Sequence, residues 1–161
     1  FVSFTYNTNF AHIISALELL IANPKEENVT ENTHFWFDML VNDQWHALSH
    51  DFDWWSTTFS SAIANIGHTV VIFEPWEDPS CLKRVWCLYE LKCSTNLSIA
   101  LSAHEVDSFR EMLRYNTTHI TRSISQIDAE KAEAYLKEDK DRIFGELVFY
   151  SMHNLSIAFS I

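Results

Sequence analysis

The stretch Arg84-Val85-Trp86-Cys87-Leu88-Tyr89-Glu90-Leu91 concentrates the residues best suited to chemistry. On a helix, Leu82, Val85, Leu88 and Tyr89 form one apolar side, so Trp86, Cys87 and Glu90 share the opposite one, because positions three and four apart stack. The residues three and four away from Glu90 are Trp86, Cys87, Cys93 and Ser94, none of them cationic. An arbitrary helix glutamate is a solvated carboxylate. One that lies beside an indole without a counter-charge is partly desolvated, its pKa rises, and it becomes a candidate for chemistry.

Other groups carry less. Cys87 has no histidine near it in sequence to draw off its proton, which argues against a nucleophilic thiol. Asp38 sits inside an apolar run and is either a buried structural carboxylate or a pocket residue. His46, His50, Asp51 and Asp53 have spacings that would suit a metal on a helix, but their stretch reads as loop, so no metal is expected. No GxGxxG and no Walker loop occurs, so a dinucleotide would have to be held without a glycine cradle.

These residues need a frame. Short apolar runs without polar alternation recur at Phe1 to Phe4, Phe35 to Val41, Thr69 to Phe73 and Leu97 to Leu101, the pattern of strands buried on both faces. Between them lie stretches of helical period. Phe10, Ile13, Ile14, Leu17, Leu20 and Ile21 form one face, and Trp55, Phe59, Ala62, Ile63 and Ile66 another, opened by Asp53 and closed by Gly67. A third follows Pro79-Ser80 and a fourth carries Val106, Phe109, Met112 and Leu113. Strand and helix alternate, which predicts an α/β fold: a flavodoxin-like parallel sheet with helices on both faces, in a single domain over residues 1–161. Ligands in such sheets sit beyond the carboxyl ends of the strands, so the loops after Phe4, Val41, Phe73 and Leu101 are the places to inspect. Asp128 to Tyr150 reads as helical throughout, and Leu155 to Ile161 as a last strand or a connection to a further domain.

Arg84 to Leu91, at the start of the third helix, together with Phe1-Val2-Ser3-Phe4 at the first strand, resembles the Toll/interleukin-1 receptor (TIR) domains, the plant type most closely. Residues 35 to 91 also look like a TIR-like module found beside tetratricopeptide repeats in algal and protist proteins. The resemblance spans roughly residues 1 to 115. It implies that Glu90 is the catalytic residue of an NAD+ nucleosidase, cleaving the nicotinamide–ribose bond to give ADP-ribose or a cyclic isomer. Substrate-binding residues are then expected at Phe4, Thr5, Tyr6, Asp38, Trp86 and Cys87. NAD+ is the substrate and no cofactor is implied. A lone carboxylate suits this reaction: the leaving group is already cationic and needs no general acid, while an anion steadies the oxocarbenium-like transition state. Plant domains place a basic residue and a glycine after the first strand where this chain has Thr5-Tyr6, and Tyr6 could instead stack on a ring of the substrate. The resemblance further implies self-association through the loop of residues 41–53, in immune or cell-death signalling. The alternative it allows is a catalytically silent adaptor that acts by homotypic binding.

Composition bounds all of this. With 161 residues, 47% of them hydrophobic and 14% aromatic, the chain can bury a core, and two glycines and three prolines rule out collagenous or low-complexity character. The net charge of -11 argues against a nucleic-acid partner, because phosphates need lysine and arginine to replace their counterions. Residues 1–80 hold eleven carboxylates and one lysine, whereas residues 81–161 hold eleven carboxylates and ten basic residues. No apolar stretch reaches the length of a membrane span. Cys81, Cys87 and Cys93 form neither a CxxC pair nor an even disulfide set, so a reducing, cytoplasmic setting is expected. The opening Phe1-Val2-Ser3-Phe4, without methionine or a basic leader, reads as a domain cut from a longer protein.

Overall fold

The computed structural model describes residues 1–23, 25–26, 29–43, 45–46, 49–126 and 128–158. Its centre is a parallel sheet of three strands, β1 (Val2–Ser3), β2 (Thr69–Ile72) and β3 (Leu97–Ala100), in that order across the sheet. Val2 stands opposite Val70, and Val71 opposite Ile99. Alternation along the strands sends Val2, Phe4, Val70, Ile72 and Ala100 to one face, where they meet Ile13, Ala16, Leu17 and Leu20 of α1 (Phe10–Ile21). Val71 points the other way, against Cys81 and Cys87. The fold is therefore α/β and flavodoxin-like, with helices packed on both faces. No described helix is long and apolar enough to cross a membrane.

The helix ends follow from local chemistry. Asn9 accepts from the Ala11 N–H at the start of α1. The longer α3 (Phe52–Ile66) begins where the Asp51 carboxylate accepts from the Trp54 N–H at 2.9 Å, two residues earlier than the expected opening at Asp53. It stops at Gly67, whose φ of 75° only glycine adopts without strain. After a 3₁₀ turn at Ser80–Lys83 come α4 (Val85–Cys93), then α5 (Ala103–Tyr115) with Ser102 as its cap, and α6 (Thr117–Ser125).

Three expectations need correction. The apolar run from Phe35 to Val41 is not a strand. Val2 N donates to Trp36 O at 3.0 Å, so the backbone at Trp36 runs beside β1 on the edge away from β2, but α2 (Asp38–Val41) then turns helical. The reason lies in Asp38, whose Oδ1 accepts from the Met39 N–H at 2.7 Å while Leu40 and Val41 bond back to Phe37 O. These local bonds compete with a ladder, and Met39, Leu40 and Val41 are left exposed. Second, the region from Asp128 to Tyr150 is broken: a 3₁₀ turn at Ala129–Lys131 and an irregular stretch precede α7 (Lys137–Ala158). Third, the tail from Leu155 through Ala158 continues this helix and is no strand, while residues 159–161 lie outside the described ones.

The irregular stretch has a structural role. Val85 N donates to Glu133 O and Glu133 N to Lys83 O, a parallel bridge that clips it to the start of α4. Beyond it, Ala132 and Ile143 are fully buried against Phe1, Phe59, Val85 and Tyr89, so the second core is closed from the C-terminal side.

Candidate functional site

A cavity of about 790 Å³ opens beyond the carboxyl end of β1. Its size falls within the range of small-molecule sites. Thr5, Tyr6 and Asn7 form its edge after β1, Asp38 and Asn42 flank it from α2, and His50 to Phe52 with Trp55 and Phe59 supply the α3 side. Trp86 and Glu90 come from α4 and Arg84 from the extended residue that caps it, and residues between Glu133 and Arg142 make the opposite wall.

The sequence placed Cys87 and Glu90 on the side of their helix away from the core. That is corrected by α4 itself, which is covered on nearly every side: Val85 and Tyr89 pack into the second core, while Cys87 and Glu90 face the sheet and are equally buried. Glu90 is 6% exposed, and the Ser3 hydroxyl of β1 donates to its Oε2 at 2.5 Å. Its pKa is pushed up to about 8, chiefly by burial and also by the nearby Asp38 charge, against the downward pull of the Ser3 hydrogen bond and Arg84. Cys87 donates from Sγ to Phe4 O at 3.4 Å, and burial holds its thiol well above the ordinary range. A thiol that stays protonated in this way is a poor nucleophile.

Tyr6 and Asp38 form a unit. The Tyr6 hydroxyl donates to Asp38 Oδ2 at 2.6 Å, and burial with this carboxylate raises the phenol pKa. Trp86 donates from Nε1 to Asp139 Oδ2 at 3.1 Å, joining α4 to α7. Around it lie Phe52 at 5.5 Å and Phe59 at 5.6 Å between ring centroids, with Trp55 stacked on Phe59. The cavity thus combines an aromatic wall with carboxylates from Asp38, Asp51, Glu133, Glu138 and Asp139, a lining that suits a flat, positively charged ring.

Of the residues singled out from sequence, Thr5, Tyr6, Asp38, Trp86 and Glu90 meet at this cavity. Phe4 and Cys87 stand behind it as core groups. His46 pairs with Asp43 and His50 stacks on Trp54 with centroids 3.7 Å apart, and among the described residues no group of His, Cys, Asp or Glu could hold a metal ion. In the 41–53 loop, residues 44, 47 and 48 lie outside the described ones, and Asp53 is ion-paired with Arg142 of α7. Sequence reasoning gave no site role to Arg84, two residues before Trp86, nor to the wall from Glu133 to Arg142, whose charged pattern reads as an ordinary solvated helix. In comparisons with known proteins, no family model, no curated protein and no solved structure matches this chain.

Proposed function

We propose that this chain cleaves the bond between nicotinamide and ribose in NAD+, adding water to give nicotinamide, ADP-ribose and a proton, or closing the ribosyl cation within the molecule, without water, to give nicotinamide, a cyclic ADP-ribose isomer and a proton. The observation that carries this reading is Glu90: a buried carboxyl group, hydrogen-bonded by Ser3, on the lining of an aromatic cavity of small-molecule size. Held largely protonated when the cavity is empty, it ionises more readily when a cationic ring arrives, because an opposite charge favours the charged form. The carboxylate then steadies positive charge on the ribose as nicotinamide leaves as a neutral amine. The TIR-like run from Arg84 to Leu91 supports the same reading, and with it self-association through residues 41–53 in immune or cell-death signalling. A reducing cytoplasm is the proposed setting, supported by the free thiols of Cys81, Cys87 and Cys93.

The test is incubation with NAD+ followed by chromatography of the products, wild type beside Glu90→Gln. Turnover is expected in the wild type and a fall of well over tenfold, about 1.4 kcal/mol of barrier, in the variant. No turnover in the wild type, or turnover that survives the substitution within tenfold, overturns the proposal. One observation favours a second reading, the silent adaptor: a glutamic acid as enclosed as Glu90 and bonded to Ser3 also serves as a purely structural hydrogen-bonding group.

A further inference from the structure

Three cations line the cavity, and two of them are already committed. Lys83 is ion-paired with Asp78 and Arg142 with Asp53. Arg84 differs: among the described residues it makes no ion pair, and its guanidinium lies 4.4 Å from the centre of the Tyr6 ring. The ring and a hydrogen-bonding contact with the Tyr6 hydroxyl engage part of the guanidinium, and the rest of its five N–H donors are left to an anion.

The support behind Arg84 is fixed at both ends. Its backbone is held by the bridge to Glu133. Its side chain rests on Tyr6, whose hydroxyl is held by Asp38, whose other oxygen is held by the Met39 N–H. A charged side chain kept in one place by groups that do not neutralise it is prepared for a ligand. Apart from the paired Lys83 and Arg142, the charged lining is acidic, through Asp38, Asp51, Glu133, Glu138 and Asp139, which disfavours an anion away from Arg84.

We infer that Arg84 binds the diphosphate of the substrate, and that it makes the site selective for a pyridinium dinucleotide over the phosphate-free nucleoside. The inference rests on the reading of the site given above. Arg84 is the extended residue that caps α4 and Glu90 lies within that helix, and both side chains line the same cavity, so one ligand can meet the two. The cationic ring would lie towards the aromatic and acidic side and the diphosphate at the guanidinium. The recognition is planar and bidentate, which a lysine ammonium cannot reproduce.

The test compares Arg84→Gln and Arg84→Lys with wild type on two substrates, NAD+ and nicotinamide riboside. The expected result is a rise in KM for NAD+ of roughly 10- to 100-fold in Arg84→Gln, the range for losing one or two charge-assisted hydrogen bonds. KM for the riboside should stay within about twofold of wild type, a split that a merely structural role would not produce. Arg84→Lys should recover part of the loss, and it carries the same comparison if Arg84→Gln does not fold. Equal effects on both substrates, or none on either, overturn the inference while the proposed activity stands. If the wild type cleaves neither substrate, the proposed activity falls and calorimetric titration with ADP-ribose decides the matter of Arg84. Binding weakened tenfold or more by Arg84→Gln supports the diphosphate contact; equal binding, or no binding by the wild type, refutes it.

Discussion

The burial of Glu90 should be measurable in the stability of the fold, independently of any substrate. In the unfolded chain this carboxyl group ionises at its ordinary value of 4.5, and in the folded chain at about 8. Between those values the native state holds one proton more than the unfolded state. Stability contributed by the raised pKa is therefore fully present below 4.5 and is lost as pH rises through 8. The slope across the interval is about 1.4 kcal/mol per pH unit, so going from pH 5.5 to 7.5 should remove roughly 2 to 3 kcal/mol. Glu90→Gln, neutral at every pH, removes this contribution and keeps the shape. Urea unfolding of both proteins at pH 5.5, 6.5 and 7.5 isolates it, because the two proteins differ at this one position and their common contributions cancel in the difference. With an m value of about 2 kcal/mol per molar, the midpoint of the wild type should fall by roughly 1 M relative to the variant. A difference between the two proteins that stays constant across this range would refute the reasoning, since it would mean that Glu90 is ionised in the native state at pH 5.5.

Two further outcomes follow from the same geometry. Ser3→Ala removes the hydroxyl that favours the charged form of Glu90, so the acidic limb of the pH–activity profile should move upward by roughly one unit; a limb that stays in place would separate Ser3 from the titration. Asp51→Ala deletes the cap of α3 and should cost about 1 kcal/mol in urea unfolding, whereas Asp53→Ala, in the first turn of the helix, should leave the cap intact.

The alternation of apolar runs and helical faces was legible because burial on both sides of a sheet leaves a continuous pattern, as in Thr69–Ile72, whose residues are all buried; β3 departs from it, for Leu97 and Ile99 are exposed and only the other face of that strand is covered. The same criterion misread Phe35 to Val41. An apolar run does not say whether its backbone bonds sideways or to itself, and here a single aspartate decided in favour of the turn. Helical period likewise assigned one inner face to α4, when a helix enclosed by sheet, α3 and α7 has no outer side to mark. Of the site, the α4 residues were visible through their spacing and the loop after β1 through its position. Arg84 was hidden for a physical reason: an arginine beside an aromatic cluster looks like any solvated cation until the ring beneath it is placed. The wall from Glu133 to Arg142 is brought in by long-range contacts that no local pattern encodes.

That wall also sets how the cavity can open. It is attached to the rest of the chain by the bridge at Glu133, the Trp86–Asp139 hydrogen bond, the Arg142–Asp53 pair and the Lys92–Glu146 pair, and it is anchored by Ile143. Exposed polar ties of this kind are individually weak, while the buried isoleucine is worth about 1.5 to 3 kcal/mol. Releasing the segment would bare the cavity and uncover Val85 and Tyr89 in one step, yet leave β1 to β3 and their α1 layer intact. Anything that grips or loosens residues 133–146 therefore reshapes the wall opposite Glu90 without touching that residue.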